Sequence, residues 1–273
     1  FVAGSVWITA DPLGRSPLGQ GLFGGLSLAG AGLATAAVPL LEGSLGWRSS
    51  YVTGVLVTAA ALALALSTPP LGRGGAAREA TPLRSLLADP LLARLGVMHT
   101  ASFAFSVVLG NWIVTLLTRT IDVSYGTAGI AGGLTLLLGI VGRPLGGWAV
   151  RRFHRRRYEL LVASLALAAA AGAALAAGGP LAVAVPAAAA LGLASGVPFG
   201  AAVAAAAASF PRSPGEAIGA MNLYAVTAII VGTPLVGATF ALPGDGRIGF
   251  AAVAALTAAS IAAVPRAALL RLP

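Results

Sequence analysis

Eight long apolar stretches run along the chain, at residues 18–41, 50–67, 95–118, 126–150, 158–178, 180–209, 217–240 and 248–265, with short polar breaks between them. Each holds roughly the 20 predominantly apolar residues that a helix needs to cross about 30 Å of hydrocarbon at 1.5 Å per residue. The opening run Phe1–Ala10 has the same character but is shorter, and reads as the tail of a further helix. The pattern predicts an all-α polytopic membrane bundle with about eight complete transmembrane helices.

Charge lies almost entirely in the breaks and is distributed unevenly between them. There are seventeen arginines and no lysine. With the first break on the cytoplasmic side, Arg15, Arg73, Arg78, Arg84, Arg94, Arg143, Arg151, Arg152, Arg155, Arg156, Arg157, Arg212, Arg266 and Arg271 fall inside, fourteen of the seventeen. Arg48, Arg119 and Arg247 fall outside, each in a break with one acid, Glu42, Asp122 or Asp245. The positive-inside rule gives this asymmetry a meaning: a multi-pass protein of the inner (plasma) membrane with a cytoplasmic C-terminus.

Composition agrees, with 58% hydrophobic and 9% charged residues in 273, too little charge for a water-soluble domain. The formal charge of +9 raises nucleic acid as a partner. A basic nucleic-acid domain gathers its cations on one solvated face, whereas these are spread over helix ends where anionic lipid headgroups are the natural counter-charge, so no nucleic-acid partner is expected. The chain has no cysteine, and its two histidines, His99 and His154, are far apart in sequence. No metal site or cofactor is expected.

The chain carries an internal echo. Arg15-Ser16-Pro17 precedes the first span and Arg212-Ser213-Pro214 the seventh, an offset of 197 residues, and each following span meets a proline, Pro39 or Pro234. If these two spans are equivalent, the repeat unit is six spans and the complete protein has twelve, about 120 residues lying upstream by that repeat length. The Pro- and Gly-rich connection then divides the chain. Residues 1–67 form the last part of an N-terminal six-helix half, 68–90 a cytoplasmic linker, and 91–273 the C-terminal six-helix half.

The run Gly142-Arg143-Pro144-Leu145-Gly146-Gly147-Trp148, followed by Arg151-Arg152-Phe153-His154-Arg155-Arg156-Arg157, resembles the basic loop motif of the major facilitator superfamily, which joins the second and third helices of each half. Gly46-Trp47-Arg48, Gly196-Val197-Pro198-Phe199-Gly200 and Gly232-Thr233-Pro234-Leu235-Val236-Gly237 resemble the approach to its sixth helix and parts of its tenth and eleventh. The resemblance implies a secondary transporter and gives Gly146, Gly147, Arg151, Arg152 and Arg155 the role of a conformational loop motif. The family commonly has Asp and Gly where this chain has Arg151 and His154. More narrowly, the first span and the Arg-Pro-Leu-Gly-Gly run resemble the nitrate/nitrite porters, in which an arginine matching Arg143 binds the anion. Their Gly-rich fifth-helix motif carries an Asn that the run Gly21–Gly32 lacks, so nitrate itself is not assigned.

An ionised side chain within a span is costly and is a functional candidate by default. Arg143 is the one arginine inside a span. A guanidinium suits an anion because it stays charged and offers a planar fork of donors; the alternatives are snorkelling to the headgroups or pairing with Glu216. Further candidates for substrate contact are Asn111, Trp112, Asn222 and Tyr224, the last two also readable as interhelical hydrogen-bond partners. His99 reads as a wetted residue near the cytoplasmic end of its span. No carboxylate lies at mid-span depth. The expected function is secondary active transport of a small solute or ion, organic or inorganic anions included, by a monomer that rocks between two access states. Efflux of drugs or metabolites is the alternative. A polytopic membrane enzyme is the remote one, since catalysis would require clustered acids, histidines or an activated nucleophile at one membrane face.

Overall fold

The computed structural model describes residues 2–9, 16–67, 81–121, 123–269 and 272. Arg15, Arg73, Arg78, Asp122, Arg271 and most of the expected linker lie outside the described residues. The helices are α1 (Val2–Thr9), α2 (Ser16–Leu45), α3 (Ser49–Ser67), α4 (Leu83–Ala88), α5 (Pro90–His99), α6 (Phe105–Thr120), α7 (Tyr125–Arg152), α8 (Arg157–Ala177), α9 (Leu181–Ser209), α10 (Pro214–Ala238), α11 (Arg247–Ser260) and α12 (Arg266–Leu269). A single π-helical turn, Thr100–Ala104, joins α5 to α6 so that the two form one rod. No strand occurs among the described residues.

Six of these helical segments are long and apolar enough to cross a bilayer: Gly46–Ser67, Pro90–Thr120, Thr127–Arg152, His154–Ala177, Leu181–Ser209 and Pro214–Ala241. At 30 residues, α2 is longer than a span requires. Of the helices at expected spans the shortest is α11, whose 14 residues and following 3₁₀ turn rise together about 27 Å. Both Ser-Pro copies of the internal echo open a helix, Pro17 in the first turn of α2 and Pro214 at the start of α10, where the missing N–H costs nothing.

The structure corrects two expectations in one place. The rod containing α5 begins at Pro90 rather than near residue 95, because Asp89 Oδ1 accepts from the backbone N–H groups of Leu91 (2.8 Å) and Leu92 (3.0 Å) and caps it. Within the expected linker, α4 buries Leu86 against the bundle, and its Leu87 carbonyl accepts from the Tyr224 hydroxyl at 2.9 Å. His99 consequently sits nine residues, about 14 Å, into the rod. It is 0% exposed, not wetted.

The breaks sort to two ends. At one, Arg119 donates to the Phe240 carbonyl (3.1 Å) and Arg247 to the Ala177 carbonyl (3.5 Å). At the other, Arg94 donates to the Ala263 carbonyl (3.1 Å), Arg157 to those of Leu269 (3.1 Å) and Leu272 (2.7 Å), and Arg266 lies 3.7 Å from Glu159. This is the alternation that the arginine pattern requires.

Through the middle run α2, α7 and α9, which pack on small residues. α9 is apolar on every side, and all residues from Ala201 to Ala207 are buried, as expected of a central helix. A Cβ on Gly21 would meet the Arg143 carbonyl, one on Gly147 or Gly200 the Pro17 carbonyl, and one on Gly142 the Leu193 carbonyl, so backbones touch with no side chain between them. Pro144 deprives the Ile140 carbonyl of its partner one turn on, and that carbonyl faces Gly25 of α2.

Candidate functional site

Arg143 lies in α7 one residue before Pro144, at the seam with α2 and α9. Its side chain is 3% exposed. It runs sideways into the bundle: Nη1 donates to the Gly24 carbonyl of α2 at 2.6 Å, and the guanidinium lies 4.1 Å from the centre of the Phe199 ring and 5.2 Å from that of Phe103. It therefore neither snorkels nor pairs with Glu216. No carboxylate balances it within 4 Å among the described residues, and Gly24 takes only one of its five N–H donors. Two ring faces offer a negative quadrupole that lowers the cost of holding the cation away from water.

Beside it is a cavity of about 410 Å³ lined by Ser27, Leu28, Phe103, Val107, Arg143, Phe199, Asn222 and Val226. Six helical segments supply these walls, α2, the π turn, α6, α7, α9 and α10 meeting around one space. The Ser27 hydroxyl donates to the Phe23 carbonyl at 3.0 Å, so its free capacity is as an acceptor. Behind Asn222 sits His99, with Nε2 at 3.4 Å from Asn222 Oδ1 and its ring packed on Phe199 (5.4 Å) and Phe103 (5.6 Å). The π turn follows His99 directly and carries Phe103; such single turns inside α-helices are frequent at functional sites.

Of the five residues expected to contact substrate, the structure brings together Arg143 and Asn222. Asn111 is exposed and lies one helical turn along α6 from the cavity residue Val107, hence on the same face. Trp112 points elsewhere: its indole N–H donates to the Thr233 carbonyl at 2.8 Å and its ring packs on Phe240, binding α6 to α10. Tyr224 is engaged with Leu87 of α4 and covers Gly96. Gln20 is buried and donates to the Ser5 carbonyl of α1 at 2.7 Å. Sequence reasoning missed Phe103, Phe199 and the placement of His99. One signal was present, since His99 and Phe103 are four residues apart and share a helix face.

A family model described as Major Facilitator Superfamily matches residues 3–233. The chain belongs to that superfamily. It is thus a membrane transporter of the major facilitator type, and the helical bundle fits that membership. No curated protein matches it as a relative. In this superfamily member the run that resembles the basic loop motif divides in two. Gly146 and Gly147 are interior, against the Val197 backbone of α9 and the Pro17–Leu18 backbone of α2. Arg151, Arg152 and Arg155 are exposed. Arg157, two residues beyond, is 8% exposed and spans Val150, Leu269 and Leu272 through hydrogen bonds of 2.9, 3.1 and 2.7 Å.

Proposed function

We propose that this protein is a secondary active transporter of a small organic anion, with Arg143 as the charge that holds it. The observation that carries the reading is a buried guanidinium with unused donors and, among the described residues, no acid to neutralise it, forming one wall of a cavity. Burying an unpaired charge in a bundle is expensive, and a visiting anion that completes its hydrogen bonds gives that expense a use. A volume of about 410 Å³ falls in the range of sites for organic ligands, roughly 300–1,000 Å³, and the walls of Phe103, Phe199, Leu28, Val107 and Val226 suit an apolar body behind a carboxylate.

The halves are read as 1–67 and 91–273, so the bond from Arg143 to Gly24 crosses between them. Its making or breaking accompanies alternation of access in a monomer of the plasma membrane, its C-terminus cytoplasmic. The likeness to nitrate/nitrite porters at Arg143-Pro144-Leu145-Gly146-Gly147 supports an anion but not a particular one. The apolar walls also suit efflux of a lipophilic metabolite, the second reading. The two part on charge. In the full-length protein reconstituted into liposomes, Arg143→Gln is expected to lower affinity for benzoate at least tenfold with expression unchanged, and Arg143→Lys to restore part of it, because an ammonium keeps the charge but loses the fork. Affinity unchanged in Arg143→Gln refutes the anion reading.

A further inference from the structure

We infer that His99 is a positioning residue that fixes the polarity of the Asn222 amide, so that Asn222 shows its NH₂ group, and not its carbonyl, to an anion held by Arg143. The inference rests on the anion reading of the cavity and adds a determinant of selectivity that touches no substrate.

Asn222 lines the cavity with Arg143, and its side chain is bonded behind to His99. A primary amide offers an acceptor at one end and two donors at the other. With Oδ1 turned 3.4 Å from His99 Nε2, Nδ2 is the end left for the cavity. Oδ1 has no proton to give, so His99 must carry one on Nε2. The other ring nitrogen gives an independent reason for the same tautomer. His99 Nδ1 is buried with no partner. A bare lone pair is the tolerable orphan in an apolar pocket, whereas a buried N–H without an acceptor is rare. Phe103 and Phe199 flank the ring and offer it nothing to accept a second proton, and the Arg143 cation stands against the same Phe199 face. The neutral Nε2–H form is therefore held, and it locks the amide.

The chemical result is a cavity whose fixed polar groups are mostly donors: the remaining guanidinium N–H groups and the Asn222 NH₂. The Ser27 oxygen is the exception. A ligand with two acceptor oxygens at one end satisfies both donors, and one that presents an N–H toward Asn222 leaves a donor facing a donor. A carboxylate is preferred over its amide for this reason as well as for charge.

Two measurements on the full-length protein in lipid nanodiscs test this. Nitrogen NMR of histidine-labelled protein, with His99 assigned by its loss in His99→Gln, is expected to show Nε2 protonated and Nδ1 bare. An Nδ1–H form overturns the inference whatever the protein transports. The second compares affinities for benzoate and benzamide. His99→Leu frees the amide to rotate, and the benzoate-to-benzamide preference is expected to fall about tenfold, the loss of one hydrogen bond to a charged ligand. His99→Gln, whose own NH₂ group donates to Asn222 Oδ1, is expected to recover most of it, and His99→Leu is expected to add nothing once Asn222 is already Ala. A preference unchanged in His99→Leu, while Arg143→Gln still weakens benzoate, overturns the role of His99 and leaves the anion reading standing. Wild-type protein that does not bind benzoate, or binds it regardless of Arg143, removes both.

Discussion

Arginine does three separate jobs in this chain, and burial distinguishes them. Arg151, Arg152 and Arg155 stand in solvent at a helix end, where charge is cheap and each contributes to membrane orientation by its side alone. Arg157 is a structural clamp: one guanidinium closes the carbonyls of Val150, Leu269 and Leu272, binding the segment that follows α11 to the end of α7. Removing it takes a donor from each of these carbonyls in a buried setting, and that of Leu269 retains a second, longer bond from the Leu272 N–H at 3.4 Å. Arg157→Ala is therefore expected to cost about 2 kcal/mol, read as a lower melting midpoint in detergent and faster carboxypeptidase trimming of the C-terminus, with Arg155→Ala changing neither. Arg143 belongs to the third kind, buried with donors to spare. Its ring partner Phe199 is tested separately: Phe199→Leu keeps an apolar filler but withdraws the quadrupole from Arg143 and an aromatic wall from the cavity, and benzoate affinity is expected to fall severalfold. An affinity identical to wild type would show that the ring only fills space.

At the scale of the helix, the spans were readable because a bilayer demands about twenty apolar residues and tolerates charge only at the ends, so α7, α8, α9 and α10 fall within a few residues of their expected bounds. What fails is the start of the rod at Pro90. Capping by Asp89 extends it, and a hydropathy pattern does not see a cap. His99 was misplaced for that reason alone. Arg143 was legible as a charge inside an apolar run, but its partners were not: Gly24, Phe103 and Phe199 come from three other segments, and only the packing of α2 and α9 on α7 brings them together. The same holds for Trp112 and Tyr224, polar-tipped aromatics whose hydrogen bonds are spent on neighbouring helices. Glycine governs that packing. Gly147 has the Pro17 carbonyl where a Cβ would go, and Gly133 on the same helix has nothing within 4 Å. Gly147→Ala is expected to destabilise by about 1–3 kcal/mol through overpacking, and Gly133→Ala to be neutral or slightly stabilising through better helix propensity. Thermal melting of the two variants side by side decides it.

For the molecule as a whole, the arginine distribution and the fold make one statement from independent directions. Hydrogen bonds place Arg119 beside Phe240 and Arg247 beside Ala177 at one end, and Arg94 beside Ala263 and Arg157 beside Leu269 and Leu272 at the other. An odd number of crossings separates the two groups in the chain, so a bundle of full spans must divide them as observed. Which end faces the cytoplasm is a matter of charge: Arg151, Arg152, Arg155 and Arg156 crowd one short break, and moving such a cluster across a membrane is what the positive-inside rule forbids. The absence of cysteine from these 273 residues makes the test clean. Arg119 and Arg155 are both exposed, so a thiol at either is chemically available. In intact cells, Arg119→Cys is expected to react with a membrane-impermeant maleimide and Arg155→Cys to react only after the membrane is opened. The reverse pattern inverts the orientation and places the C-terminus outside. Equal labelling of both would put the two breaks on one face, which a complete crossing by α7, the helix between them, does not allow.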